Sequence, residues 1–241
     1  MVPKRKILIL GFGGTIAMVP DSQGVLKPAK GIEEILAIVP TLQEMAEVTF
    51  VQAANLDSTN INASHWKTLH LIIATMQGNF DGIIVTHGTD TMAYTASAIS
   101  LLCGRELRIP IVFTGSQLPL VREGTDARFN LENAMKTVLE AARNEIVEVM
   151  IVFNARVLRA NRTIKISESR FDAFDSPAFP RLAEITAMDL FFSPAALKLT
   201  AEAPPPMRPD FRRGVLSIEI TPEHDNGQLK DGTACLGTKA Q

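Results

Sequence analysis

Ile83-Ile84-Val85-Thr86-His87-Gly88-Thr89-Asp90-Thr91-Met92 decides the reading of this chain. Four residues that favour β-structure run into a glycine, two threonines flank an aspartate, and Met92 to Leu102 follows with helical spacing and almost no charge. The pattern predicts a strand buried on both faces, a tight turn and a helix start. Open α/β sheets bind ligands at the carboxyl ends of their parallel strands, where loops diverge and the next helix offers free N–H groups. A hydroxyl and a carboxylate at such a turn are well placed for chemistry. The same letters also suit a plainer role, in which Thr89 or Asp90 is only the N-cap of the helix.

Working outward, Ile7-Leu8-Ile9-Leu10 empties into Gly11-Phe12-Gly13-Gly14-Thr15, a second apolar strand with a glycine-rich exit. Its spacing lacks the third glycine of a dinucleotide fingerprint, because Ile16 stands there, and no P-loop lysine follows. The breaker-rich stretch 18–30 reads as a long polar loop, either a lid or a mobile surface loop. Val48 to Gln52 is a strand whose exit carries Asp57 and Ser58, and Ala63 to Met76 is an amphipathic helix with His65 and His70 at its rim rather than on a metal. Ile109 to Thr114 is a strand that ends at Ser116. Asp126 is expected to cap a helix reaching about Ala142, and Glu148–Phe153 with Arg156–Arg159 reads as a hairpin around Asn154-Ala155. This alternation predicts an α/β fold, a doubly wound and mostly parallel sheet covered by helices.

Bulk properties narrow the function. A net charge of -2 over 241 residues supplies no basic field, so no nucleic-acid or anionic-membrane partner is expected, and a small-molecule substrate is the simpler partner. Two cysteines, Cys103 and Cys235, make neither a disulfide framework nor a metal motif, and no apolar run approaches a bilayer span. A cytoplasmic location follows as the expectation. Near Ala201 the composition changes. Residues 1–200 read as one catalytic domain, 201–213 as a Pro-rich linker, and 214–241 as a poorly ordered remnant of, or replacement for, a further domain.

Threonine hydroxyls are weak nucleophiles and need a base and an oxyanion partner. Thr89, Asp90 and Lys165 would form such a relay if the fold brings Lys165 over the sheet edge; otherwise Lys165 is a solvated surface residue.

The motifs Gly13-Gly14-Thr15-Ile16-Ala17, Asp57-Ser58-Thr59, Thr86 to Tyr94, Thr114-Gly115-Ser116-Gln117-Leu118-Pro119 and Asn161-Arg162-Thr163-x-Lys165 resemble, in order, those of bacterial-type L-asparaginases. The wording near Tyr94 and Gln117 is closest to the cytoplasmic type I branch, and the likeness runs from residue 5 to about 180, including Phe171 to Pro177. It implies an N-terminal asparaginase domain of Rossmann- or flavodoxin-like fold, without metal or organic cofactor. The implied reaction turns L-asparagine, or L-glutamine, and water into the acid and ammonia. By this resemblance Thr15 is the nucleophile, and Thr89, Asp90 and Lys165 move protons. Asp57, Ser58 and Asp90 hold the substrate's amino and carboxylate groups, while Gly88, Thr89 and Ser116 frame the reacting amide.

Two departures stand out. Family members usually carry a tyrosine on the lid, but here the stretch reads Gln23-Gly24-Val25-Leu26 and Tyr94 is the only tyrosine. Relatives are also longer, assemble as dimers or tetramers, and complete the site from a neighbour's second domain. The chain is therefore expected to be a truncated or divergent form that associates through its exposed apolar surface. Two other readings remain: the asparaginase-like component of a tRNA-dependent amidotransferase, against which counts a first motif almost at Met1, and a non-catalytic amino-acid-binding protein.

Overall fold

The computed structural model describes residues 3–14, 16, 18–21, 23–24, 26–28, 32–187 and 189–198. Thr15, Val25, Cys235, the 201–213 linker and the 214–241 tail all lie outside them, and so do the expectations attached to those positions.

Five strands form the parallel heart of the sheet: β1 (Lys6–Gly13), β4 (Glu47–Leu56), β5 (Gly82–Thr86), β6 (Ile111–Thr114) and β7 (Val149–Phe153). Their spatial order is β4-β1-β5-β6-β7, so the direction of winding reverses between β1 and β5. That reversal opens a crevice at the strands' carboxyl ends. β5, β6 and β7 are buried at every residue, as uniformly apolar strands covered on both faces must be, whereas β4 at the edge has no fully buried position.

Alternate residues serve opposite layers. Ile7, Ile9, Ile84, Val112 and Met150 join Leu131, Ala134 and Val138 of α5 (Ala127–Arg143) in one core, together with Ile35 of α1 (Ile32–Ile38) and Leu42 of α2 (Thr41–Met45). Each such side chain contributes roughly 1.5–3 kcal/mol by leaving water. Elsewhere α4 (Met92–Cys103) packs on β6 and β7 and in turn carries α3 (Ala63–Met76). The start of α3 is held by a capping box, in which Asn62 accepts from the Ser64 N–H and the His65 ring accepts from the Asn62 N–H. His65 is thus a capping group. Cys103 is buried, and burial together with nearby Glu106 pushes its thiol up to about 12, so it is inert filling.

Several local expectations are corrected. Within the stretch 18–30, β2 (Met18–Pro20) and β3 (Leu26–Pro28) pair antiparallel, with Gly24 at φ +80° and the Asp21 carboxylate accepting from the Gln23 N–H between them. Beyond the β7–β8 hairpin, where β8 is Arg156–Arg159, the sheet continues antiparallel through β11 (Ala183–Ile185) and β12 (Leu190–Phe192). A separate pair, β9 (Ile164–Lys165) and β10 (Phe174–Asp175), projects from it.

The antiparallel edge is pinned by charge. Glu148 and Arg159 form a bidentate pair at 2.7 and 2.8 Å, the Arg159 guanidinium lies 4.4 Å over the Phe179 ring, and Glu148 also accepts from the Leu197 N–H. Only 3% of the Glu148 side chain is exposed. Arg159→Met is therefore expected to strand a buried carboxylate and cost about 3–5 kcal/mol. Arg143→Met, at a side chain 66% exposed, should cost less than about 1 kcal/mol. Urea unfolding midpoints of the two variants check the difference.

Candidate active site

Strand register sets the site. Gly11 of β1 lies beside Thr86 of β5, and Thr86 beside Thr114 of β6, so three chains leave the sheet at one level. β4 reaches further because a bulge opposite Gly11–Gly13 inserts extra residues, with the Gln52 amide donating to the Gly11 carbonyl at 3.2 Å. The four exits enclose a cavity of about 440 Å³ lined by Gly14, Asn55–Ser58, Gly88–Asp90, Ser116 and Gln117. That volume suits a small polar ligand.

The exits touch through backbone. Gly14 sits at φ +79°, and a Cβ there would lie 2.6 Å from the Gly88 nitrogen. A Cβ on Gly88 would meet the Ser58 hydroxyl at 2.7 Å, and one on Gly115 would meet the His87 carbonyl at 2.5 Å. Larger residues would push the loops apart and close the cavity. Thr91 adds a strap, donating from Oγ1 to the Ser58 carbonyl at 2.7 Å. Thr91 itself occupies the N-cap position of α4, without a side-chain cap bond. Thr89 and Asp90 therefore do not serve as the cap, and their side chains turn elsewhere.

They turn to Lys165, whose Nζ lies 3.1 Å from Thr89 Oγ1 and 2.7 Å from Asp90 Oδ1 and also contacts Glu168. Only 10% of the Lys165 side chain is exposed, which removes the solvated-surface alternative. Burial opposes the charge on this amine, but hydrogen bonds to Asp90 and Glu168 outweigh it and raise its pKa above the ordinary lysine value. An ammonium thus faces the Thr89 hydroxyl at neutral pH. Thr89 in turn donates to Gln117 Oε1 at 3.4 Å, and Gln117 Nε2 donates to the Arg170 carbonyl at 3.1 Å.

Lys165 reaches the pocket because the β9–β10 pair is clamped to β8. Arg156 donates to the Phe174 carbonyl at 3.0 Å and pairs with Asp172 and Asp175, which gives the Phe171–Pro177 motif its structural task. Asp57 and Ser58 line the cavity from the exit of β4. Asp57 is exposed, accepts from the Thr59 N–H at 2.9 Å and hydroxyl at 2.8 Å, and is held below the usual carboxylate range by those bonds. Ser58 is buried, and Ser116 Oγ is buried without a hydrogen-bond partner among the described residues.

Asp126 occupies the N-cap position of α5, as the sequence implies, but its side chain serves a different loop. Its carboxylate makes no cap for α5; it accepts instead from the Gln117 and Leu118 N–H groups at 3.0–3.1 Å. Fully buried Asn130, one turn on, donates to Asp126 and to the Gly115 carbonyl and accepts from the Asn154 N–H. One helix end thereby fixes both the Ser116 loop and the hairpin leading to Lys165. The i, i+4 spacing of these two residues was the available signal. Glu168 left none. Among the described residues, no three His, Cys, Asp or Glu side chains gather as a metal site, and no helix is long and apolar enough to cross a membrane.

An open parallel sheet with polar side chains collected at its switch point defines a doubly wound α/β domain with a ligand site. Residues 6–197 match the family model described as asparaginase, N-terminal, and the chain belongs to the asparaginase family. It is 38% identical over 184 residues to L-asparaginase 1 of Escherichia coli K12, covering 75% of this chain and 53% of that protein. It is 35% identical over 191 residues to a component of the glutamyl-tRNA(Gln) amidotransferase of Aeropyrum pernix, covering 76% and 44%. The solved thermostable L-asparaginase of Thermococcus kodakarensis superposes with a TM-score of 0.72 at 31% identity, over 82% of this chain and 58% of that one. The chain spans about half the length of the curated relatives it matches.

Glu168→Gln removes one of the two anions that hold the Lys165 charge. The amine's pKa is expected to fall, so that deprotonation begins at lower pH, with a shift that shrinks in high salt because Glu168 is 80% exposed. Following the Lys165 side-chain resonances through a pH titration checks this; identical midpoints in both proteins would show that Asp90 alone sets the charge.

Proposed function

We propose that this chain is the catalytic domain of an L-asparaginase-type amidohydrolase, which converts L-asparagine and water to L-aspartate and ammonia through a threonine acyl-enzyme. The observation that carries the reading is the contact of Lys165 with both Thr89 and Asp90 beside a cavity of amino-acid size. Thr15, which follows the pocket residue Gly14, attacks the side-chain amide carbon, and its proton leaves with ammonia. Thr89, Lys165 and Asp90 then relay the proton of the water that releases aspartate. Asp57 and Asp90 suit the substrate's ammonium, Ser58 its carboxylate, and Gly88, Thr89 and Ser116 surround the amide. Residues 1–200 carry this chemistry in the cytoplasm, 201–213 act as a linker, and an oligomer forms when the rest of a full-length protein is present.

Similarity to the Aeropyrum pernix amidotransferase component favours a second reading, in which the chain releases ammonia for a tRNA-dependent amidotransferase. Ammonia release from L-asparagine separates the two. On the first reading the purified chain turns over alone, and Thr15→Ala and Thr89→Val each lower the rate by about 100-fold or more. Release no faster than in Thr15→Ala would overturn it. Activity appearing only with added tRNA and amidotransferase partner would support the second.

A further inference from the structure

His87 has no task in that reaction, yet it is a fully buried polar side chain next in sequence to the cavity-lining Gly88. Its ring stacks on Phe12 at 5.9 Å and leans on Phe113 at 6.2 Å, surroundings that a phenylalanine would fill equally well. What phenylalanine lacks is the contact of Nδ1 with the Gly88 carbonyl at 2.8 Å. A carbonyl oxygen only accepts, so Nδ1 carries the proton. Burial keeps the ring neutral, its pKa pushed down to about 4, and the Gly88 bond only partly offsets this. Nε2 is therefore a lone-pair acceptor, and it has no hydrogen-bond partner among the described residues. A buried acceptor left unpaired is a cost that simple packing does not explain.

The Gly88–Thr89 peptide is the object of that bond. In a trans peptide the carbonyl and the N–H point in opposite directions. With the Gly88 carbonyl drawn toward the imidazole in the core, the Thr89 N–H faces the other way, toward the cavity that Gly88 and Thr89 line. Gly14, Ser58 and Gly115 crowd this stretch and fix its position. They do not fix its rotation, because Gly88 has no Cβ and glycine accepts either sign of φ at little cost. We infer that His87 is a positioning residue, which locks the Gly88–Thr89 peptide with the Thr89 N–H aimed at the oxyanion of an amide substrate. The inference rests on the amidohydrolase reading for its purpose, and on the peptide's orientation for its content.

His87→Phe keeps the ring and removes the donor, whereas His87→Asn places an amide N–H where Nδ1 stood. In the full chain, His87→Phe is expected to lower kcat for L-asparagine by about 10- to 100-fold, less than the roughly 100- to 1,000-fold for removing an oxyanion donor because the Thr89 N–H is misaimed and not lost, with KM changed less than about threefold. His87→Asn should recover most of that rate. A general loss of folding would not be rescued in this way. A second readout needs no turnover: parent and His87→Asn should share one Thr89 amide resonance and hydrogen-exchange rate, while His87→Phe differs at least tenfold in exchange, and ring nitrogen shifts of the parent should report the Nδ1–H tautomer. An Nε2–H tautomer, or a Thr89 amide that is identical in all three proteins, overturns the positioning role. If the parent releases no ammonia but the amide and tautomer results hold, the amidohydrolase reading fails and the peptide lock stands.

Discussion

An ammonium with nine-tenths of its side chain out of water must be met by anions, and that requirement ties together two segments far apart in the chain. Lys165 meets Asp90 from a position 75 residues later in the chain. Between them the polypeptide completes α4, β6, α5 and the β7–β8 hairpin, then turns back through β9. Each of those elements must be in place before the lysine can reach the exit of β5. Arg156 supplies the last constraint, since its contacts with Phe174, Asp172 and Asp175 hold the β9–β10 pair against the sheet. The site is thus a product of the whole domain, although the residues that line its floor come from four adjacent loops.

The floor obeys a different constraint, the distance between backbones. Parallel strands lie close to 4.8 Å apart, and their exits stay in contact only if no side chain intervenes. Gly14, Gly88 and Gly115 meet that condition, with hypothetical Cβ atoms all under 3 Å from a neighbour. Hydrogen bonds then do what side-chain packing does elsewhere: His87 N–H to the Thr114 carbonyl, Thr91 to the Ser58 carbonyl, and the Asp126–Asn130 pair to the loop carrying Ser116. Buried groups paired in this way specify one geometry, because any alternative leaves some of them unsatisfied, while Ser116 Oγ and His87 Nε2 stand outside this network.

What could be read beforehand followed from periodicity. β5 and β6 are short apolar runs ending in threonine, β7 is an apolar run leading into Asn154, and α3 begins and ends where its spacing implies. β2, β3, β11 and β12 were not legible, because each is three residues long and owes its strand character to a partner found only in the fold. Pro20 and Pro28 even argued against the hairpin they close. At the site, residues at strand exits could be nominated from local grammar. The Asp126 carboxylate could not, since an aspartate before a helix reads as a cap whether or not it caps. Glu168 and Glu148 were invisible for a related reason: ion pairs are set by tertiary proximity, which spacing does not encode.

Charge at the pocket places a final constraint on the chemistry. Asp57, Asp90 and Glu168 outnumber Lys165, and Lys165 is held in its ammonium form. Thr89 thus faces a proton donor in the resting state, so the relay begins as an acid. In the proposed reaction the departing nitrogen takes the Thr15 proton, so the ammonium beside Thr89 serves the first half as a hydrogen-bond donor and is not consumed. The proposed second half needs a base at Thr89, and the raised lysine pKa opposes one, so the relay must first move the ammonium's proton onto a carboxylate such as Asp90 or Glu168.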